Sequence, residues 1–169
     1  MINSYLQGNT EQNDQAIHLL FSANRWEAVQ SILNDLKAGC TVVVDRYSFS
    51  GAVYSAAKDN PDLSLDWCWF PEIGLPQPDL VLFLDISSDD AAKRGGYGEE
   101  RYEQEEMQSR VRALFQLLFL RLPGLNVKTI NAGVSQEKVS DQIWAAFQDI
   151  ETKQVRNSEL KTLSELSSV

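Results

Sequence analysis

Apolar positions along the chain fall into two kinds of pattern, one with helical spacing and one continuous. Asp14 is placed to cap a helix that carries Ile17, Leu20 and Phe21 on one face. A second helical stretch sets Val29, Ile32, Leu33 and Leu36 on one side, and Gly39 stops it. Thr41-Val42-Val43-Val44-Asp45 then reads as a buried parallel strand, because the run is short, continuous and β-branched. Residues 46–60 are expected to be a loop leading into a helix. Four prolines (Pro61, Pro71, Pro76, Pro78) surround the aromatic patch Trp67-Cys68-Trp69-Phe70. Residues 79–85 predict a second buried strand. The longest apolar stripe runs through Met107, Val111, Leu114, Phe115, Leu118, Phe119 and Leu122, with Pro123-Gly124 ending its helix. Residues 126–130 predict a third strand. Ser135 is placed to cap a last helix with Val139, Ile143, Phe147 and Ile150 inward.

Alternating strands and helices imply an α/β fold, a parallel sheet flanked by helices. Ligands of such sheets sit at the carboxyl ends of the strands, so function is to be read there. At 169 residues the chain is long enough for one domain with its own core. The pattern assigns that domain to residues 1–151 and leaves 152–169 as a polar, loosely held tail. No apolar run is long enough to suggest a membrane span, and the polar N-terminus has no signal-peptide pattern. Cys40 and Cys68 lack metal or disulfide spacing, fit a reducing compartment and are expected to be buried thiols.

The net charge is −9, which disfavours binding to a nucleic-acid backbone. Residues 41–93 are the most acidic stretch, whereas Arg94, Arg101, Arg110, Arg112 and Arg121 gather in the least acidic one. Two explanations fit this cluster. It serves a small anionic ligand, or it pairs with Glu99, Glu100, Glu103, Glu105 and Glu106 on a solvated helix.

Asp45-Arg46-Tyr47 stands at the end of the first expected strand. A carboxylate there suits Mg²⁺ beside a nucleotide, and the planar fork of Arg46 suits phosphate. A turn-capping Asp and an ion-paired Arg fit the same residues. Ser50, Gly51 and Tyr54 extend the run to D-R-Y-x-x-S-G-x-x-Y, a more specific pattern than its parts. Arg94 and Arg101 bracket Gly95, Gly96 and Gly98, as in a flap that closes over phosphates. Phe21 and Arg25 are one helical turn apart and share a face. They suit stacking and edge recognition of a planar base, or equally a core ring beside a surface cation. His18 is read as a packed or surface residue.

Together, HLLFSANRWE, TVVVDRYSFSG, LDWC, GLPQPDLVLFLD and AAKRGGYGEERYE resemble the eukaryotic branch of the thymidylate kinase family. The likeness covers roughly residues 1–150 and implies a P-loop nucleoside monophosphate kinase fold. By resemblance, the activity is ATP-dependent phosphorylation of dTMP to dTDP with Mg²⁺, in a homodimer. The roles follow by position. Phe21 stacks on thymine and Arg25 bonds its edge. Asp45 lies near Mg²⁺ and the reacting phosphates, and Arg46 binds the dTMP phosphate. Ser50 and Gly51 shape the monophosphate pocket, with Tyr54 against base or sugar. Arg94 and Arg101 are the cations of the lid over ATP. Tyr102 packs by the deoxyribose. Asn131-Ala132-Gly133-Val134 forms part of the adenine pocket.

The family pattern also opens with a strand, a G-x-x-x-x-G-K-[ST] loop and a loop containing Phe-Pro-x-Arg. None of these occurs in the 169 residues. The expectation is therefore an N-terminally incomplete domain, with impaired phosphoryl transfer and exposed strand edges. An inactive dTMP-binding or dimer-partner protein is the alternative. The expected compartment is the cytoplasm, with nucleus and mitochondrion left open.

Overall fold

The computed structural model describes residue 5 and residues 12–87, 90–91, 105–152 and 159–168. Helix α1 spans Asp14–Lys37. It joins the two expected helices, because no Gly or Pro between them interrupts the backbone ladder. Its cap is Asn13 rather than Asp14: the Asn13 Oδ1 accepts from Ala16 N at 3.0 Å. Gly39 ends the helix with φ +82°, a conformation that side chains oppose.

Helix α2 spans Ser48–Ala56 and α3 spans Leu65–Trp69, followed by a 3₁₀ turn at Phe70–Glu72. Ser64 caps α3 through Trp67 N at 3.1 Å. Strand β1 is Val81–Asp85, α4 is Glu105–Leu120, β2 is Val127–Asn131 and α5 is Gln136–Thr152. The two strands pair in parallel, from Val81↔Val127 to Asp85↔Asn131. The fold is α/β as expected, with the parallel sheet flanked by helices.

Residues 41–45 differ from the expectation. They form no strand: Val43 is 89% exposed and Val44 48%. Strand preference expresses pairing and packing on a pleated surface, and among the described residues no strand lies beside this segment. The valines satisfy the composition of a strand without its hydrogen-bonded neighbour.

The core gathers Phe49, Val53, Leu63, Trp69, Leu75 and Leu118. The stripe on α4 faces it through Met107, Val111 and Leu118. Phe83 of β1 meets Phe115 and Phe119 of α4, with ring centroids 4.9 Å and 5.5 Å apart.

The end of the chain also departs from its sequence reading. Pro76 and Thr162 form an antiparallel bridge, and Leu163 is buried in the core. Trp69 Nε1 donates to Ser164 O at 2.8 Å. Leu163 and Leu166 pack against the core, and main-chain pairing together with bonds between Arg121 and Ser167 holds the rest; two isolated leucines in a polar stretch have no periodic signature. Cys68 is buried as expected, but Cys40 is exposed, because it lies beyond the end of α1.

Candidate functional site

The segment from Asp45 to Tyr54 bends at Asp45 and Arg46 before α2 begins at Ser48. Asp45 and Arg46 are exposed at its start. Arg46 has φ +62°, a left-handed conformation uncommon for a residue with a side chain. Its guanidinium lies over the Tyr54 ring, 5.5 Å from the centroid. Ser50 Oγ donates to Tyr47 O at 3.0 Å, within the first turn of α2. Tyr47 is turned inward and donates from its hydroxyl to Pro76 O at 3.2 Å. Burial pushes the Tyr47 hydroxyl up to about 12, and the Glu72 carboxylate adds to the shift.

Phe21 and Arg25 share a face of α1, and Phe21 is half-buried. Arg25 is not the surface cation of the simpler reading. Its side chain is 14% exposed and pairs with Glu72, which is fully buried. Arg25 Nε donates to Glu72 Oε2 at 2.7 Å, and Nη2 donates to Oε1 at 2.5 Å. Gly51 faces the same guanidinium. A Cβ there would stand 2.8 Å from Nη2 and 2.9 Å from Nη1. Glycine at 51 therefore leaves the space that the guanidinium occupies.

Glu72 escaped the sequence reading. Its signal was weak: one carboxylate among apolar neighbours in Phe70-Pro71-Glu72-Ile73-Gly74. A charge that is fully buried requires a partner, and the partner is 47 positions away. His18 is likewise buried on α1. Its Nδ1 lies 2.8 Å from Ser55 Oγ, and its Nε2 lies 2.9 Å from Cys68 O. Burial lowers its pKa from 6.5.

A separate group gathers at the carboxyl ends of the strands. Asn131 Oδ1 accepts from Gly133 N at 2.9 Å, making a tight turn after β2. Ala132 N donates to Asp85 O at 2.8 Å. Ala132 is buried, while Asn131 and Gly133 are exposed and Val134 half-buried. Arg112 of α4 lies 3.5 Å from the Asp85 carboxylate and also donates to Ile86 O.

The arginine cluster divides. Arg110 pairs with Glu106 at 3.6 Å, while Arg121, just beyond α4, pairs with Asp66 at 2.6 Å. Arg94, Arg101 and Tyr102 lie outside the described residues. The structure thus brings Arg25 to Gly51, and Arg46 to Tyr54. It places the Asn131–Val134 turn at the end of the sheet.

Comparison with known proteins settles the family. A family model described as thymidylate kinase matches residues 1–143. The chain belongs to the thymidylate kinase family. It is 46% identical to the thymidylate kinase of Dictyostelium discoideum over 163 residues, covering 96% of this chain and 70% of that one. It is 46% identical to the human thymidylate kinase over 166 residues, covering 98% and 75%. The solved thymidylate kinase of Candida albicans superposes with a TM-score of 0.79 at 34% identity, covering 96% of this chain and 79% of the other. Family and fold agree with the resemblance read from the motifs, and thymidylate kinases are kinases of nucleotide metabolism.

Proposed function

We propose that the chain carries the dTMP site of a thymidylate kinase, which transfers the γ-phosphoryl group of ATP to dTMP and yields dTDP. The observation that carries this reading is the arrangement around Gly51. A glycine on α2 and a buried carboxylate together hold one guanidinium of α1, on the helical face that also bears Phe21. A stacking ring and a fixed fork of donors recognise a planar base with an acceptor on its edge.

Arg46 is the phosphate ligand in this reading. Its left-handed backbone supports the role, since such strain concentrates at functional positions. Ser50 and Gly51 shape the monophosphate pocket from the start of α2, with Tyr54 beside them. The Asn131–Val134 turn belongs to the adenine side. Arg94, Arg101 and Tyr102 are assigned to the lid and the deoxyribose by resemblance alone. Asp45 is the candidate Mg²⁺ carboxylate. Mg²⁺ commonly takes one or two carboxylates together with substrate phosphates, so a single exposed carboxylate beside Arg46 fits the ion. When bound there, Mg²⁺ would neutralise charge on the phosphates.

Phosphoryl transfer depends on positioning and charge stabilisation. The 169 residues contain no G-x-x-x-x-G-K-[ST] cradle, so in this reading they supply the dTMP side of the site and not the phosphate loop. The second reading is a dTMP-binding or dimer-partner protein without turnover. Leu19 and Trp26 of α1 and Phe70 after α3 are exposed, which supports pairing with another copy. No described helix is long and apolar enough to cross a membrane. The cytoplasm is the proposed compartment.

The test is calorimetric titration with dTMP, beside an ATP/dTMP-coupled assay on the same sample. The assay is repeated after a Gly-Lys-Ser/Thr phosphate-loop segment of the family is joined to the N-terminus. Binding with turnover only in the extended protein supports the kinase reading. Binding without turnover in either supports the second reading, and no dTMP binding overturns both.

A further inference from the structure

We propose that Glu72 is a positioning residue which fixes the Arg25 guanidinium so that the base pocket accepts a 4-keto pyrimidine and rejects a 4-amino one. The inference rests on the reading that Arg25 meets the base edge. Glu72 occupies both Nε and one hydrogen of Nη2 on Arg25. The donors left over are the two hydrogens of Nη1 and the second one of Nη2. A guanidinium offers donors only, and the pairing with Glu72 fixes where they lie. A keto oxygen can accept from it, whereas an exocyclic amine presents its own hydrogens to them. A site built around fixed donors discriminates strongly, because a mismatched ligand leaves those donors unpaired.

The turn that carries Glu72 is itself held in place. Ser22 Oγ and Trp26 Nε1, both from α1, donate to Pro71 O at 3.1 Å and 2.8 Å. On the other side, Gly74 N donates to Leu163 O at 2.9 Å. The carboxylate therefore stands on a turn anchored before and after it. Gly51 completes the arrangement by leaving room for the guanidinium. Two substitutions disturb the same fork independently. Glu72→Gln keeps the volume and removes the charge. Gly51→Ala leaves Glu72 intact and pushes a methyl group into the guanidinium.

The experiment titrates dTMP and dCMP by calorimetry into the full 169-residue chain, for the wild type, E72Q and G51A, with a thermal melt of each. The wild type is expected to prefer dTMP. Each variant is expected to lose about tenfold of that preference, the scale of one charge-assisted hydrogen bond. A lower melting temperature in E72Q with an unchanged dTMP/dCMP ratio would show a purely structural ion pair and overturn the proposal. Should E72Q not fold, the ratio in G51A decides, and an unchanged ratio there overturns it equally. A wild-type chain that binds dTMP without preferring it to dCMP removes this inference but leaves the pocket reading standing. A wild-type chain that binds neither nucleotide removes both.

Discussion

Leu163 and Leu75 are buried against one another's backbone: Leu163 N donates to Leu75 O at 2.8 Å, while Leu163 O accepts from the neighbouring Gly74. The last described stretch of the chain thereby becomes part of the core around Trp69. Leu163→Ala is expected to cost about 2–5 kcal/mol, the range for deleting a buried leucine side chain. Urea unfolding followed by tryptophan fluorescence measures it. A loss under about 0.5 kcal/mol, the surface range, would mean that the segment is not docked in solution.

His18 makes stability depend on pH. Its folded-state pKa lies below the ordinary 6.5, chiefly because burial disfavours the imidazolium. Between 6.5 and the lower folded value, the unfolded chain holds the proton and the folded chain does not. Stability is thus full above pH 6.5, falls as the pH drops through that window, and is fully reduced below it. Urea midpoints from pH 7.5 down to 5 should decline in the wild type, with a smaller slope in His18→Gln. Equal slopes would remove His18 from the cause.

The left-handed backbone of Arg46 separates conformational cost from ligand contact. Both Arg46→Gly and Arg46→Ala delete the guanidinium and its place over Tyr54. Only glycine relieves the positive φ, so R46G is expected to be more stable than R46A by about 1 kcal/mol. Both should weaken dTMP binding alike. Identical melting temperatures for the two would show that the segment relaxes in solution.

Three glycines form a graded series. Gly124 has no positive φ and open space around it, so Gly124→Ala should change stability by less than about 0.5 kcal/mol. Gly39 has open space but φ +82°, and its alanine variant should cost about 1 kcal/mol. Gly74 combines φ +95° with a Trp26 ring atom 3.2 Å from any added Cβ. Gly74→Ala should be the worst of the three in thermal melts.

Where the pattern was periodic, it was legible. The stripe from Met107 to Leu122 placed α4, and the apolar run before Asp85 placed β1. The 41–45 run is no strand because a valine run reports suitability for a strand, while a strand also needs a neighbour. The pairing of residues 74–77 with 161–163 left no trace, because main-chain bonds carry no side-chain signature. In the site, Arg25 is legible from its spacing with Phe21 and Gly51 from the D-R-Y-x-x-S-G-x-x-Y run, with the family likeness adding their roles. The carboxylate joining them to the rest of the fold is not, since a lone Glu in a proline-rich stretch looks like surface. Only the fold shows that it is enclosed.

The two cysteines give the molecule an unequal chemistry towards electrophiles. Burial pushes the Cys68 thiol up to about 12, so it offers almost no thiolate near neutral pH, whereas Cys40 stands exposed beyond α1. A maleimide dye therefore attaches at one place without any cysteine being engineered away. Each labelled molecule carries a single reporter at the far end of the helix that bears Phe21 and Arg25. Energy transfer to that dye from Trp26 on the same helix gives a fixed reference. Transfer from Trp69 in the core, isolated by replacing the other tryptophans with Phe, tracks the distance between this helix end and the core as nucleotide is added.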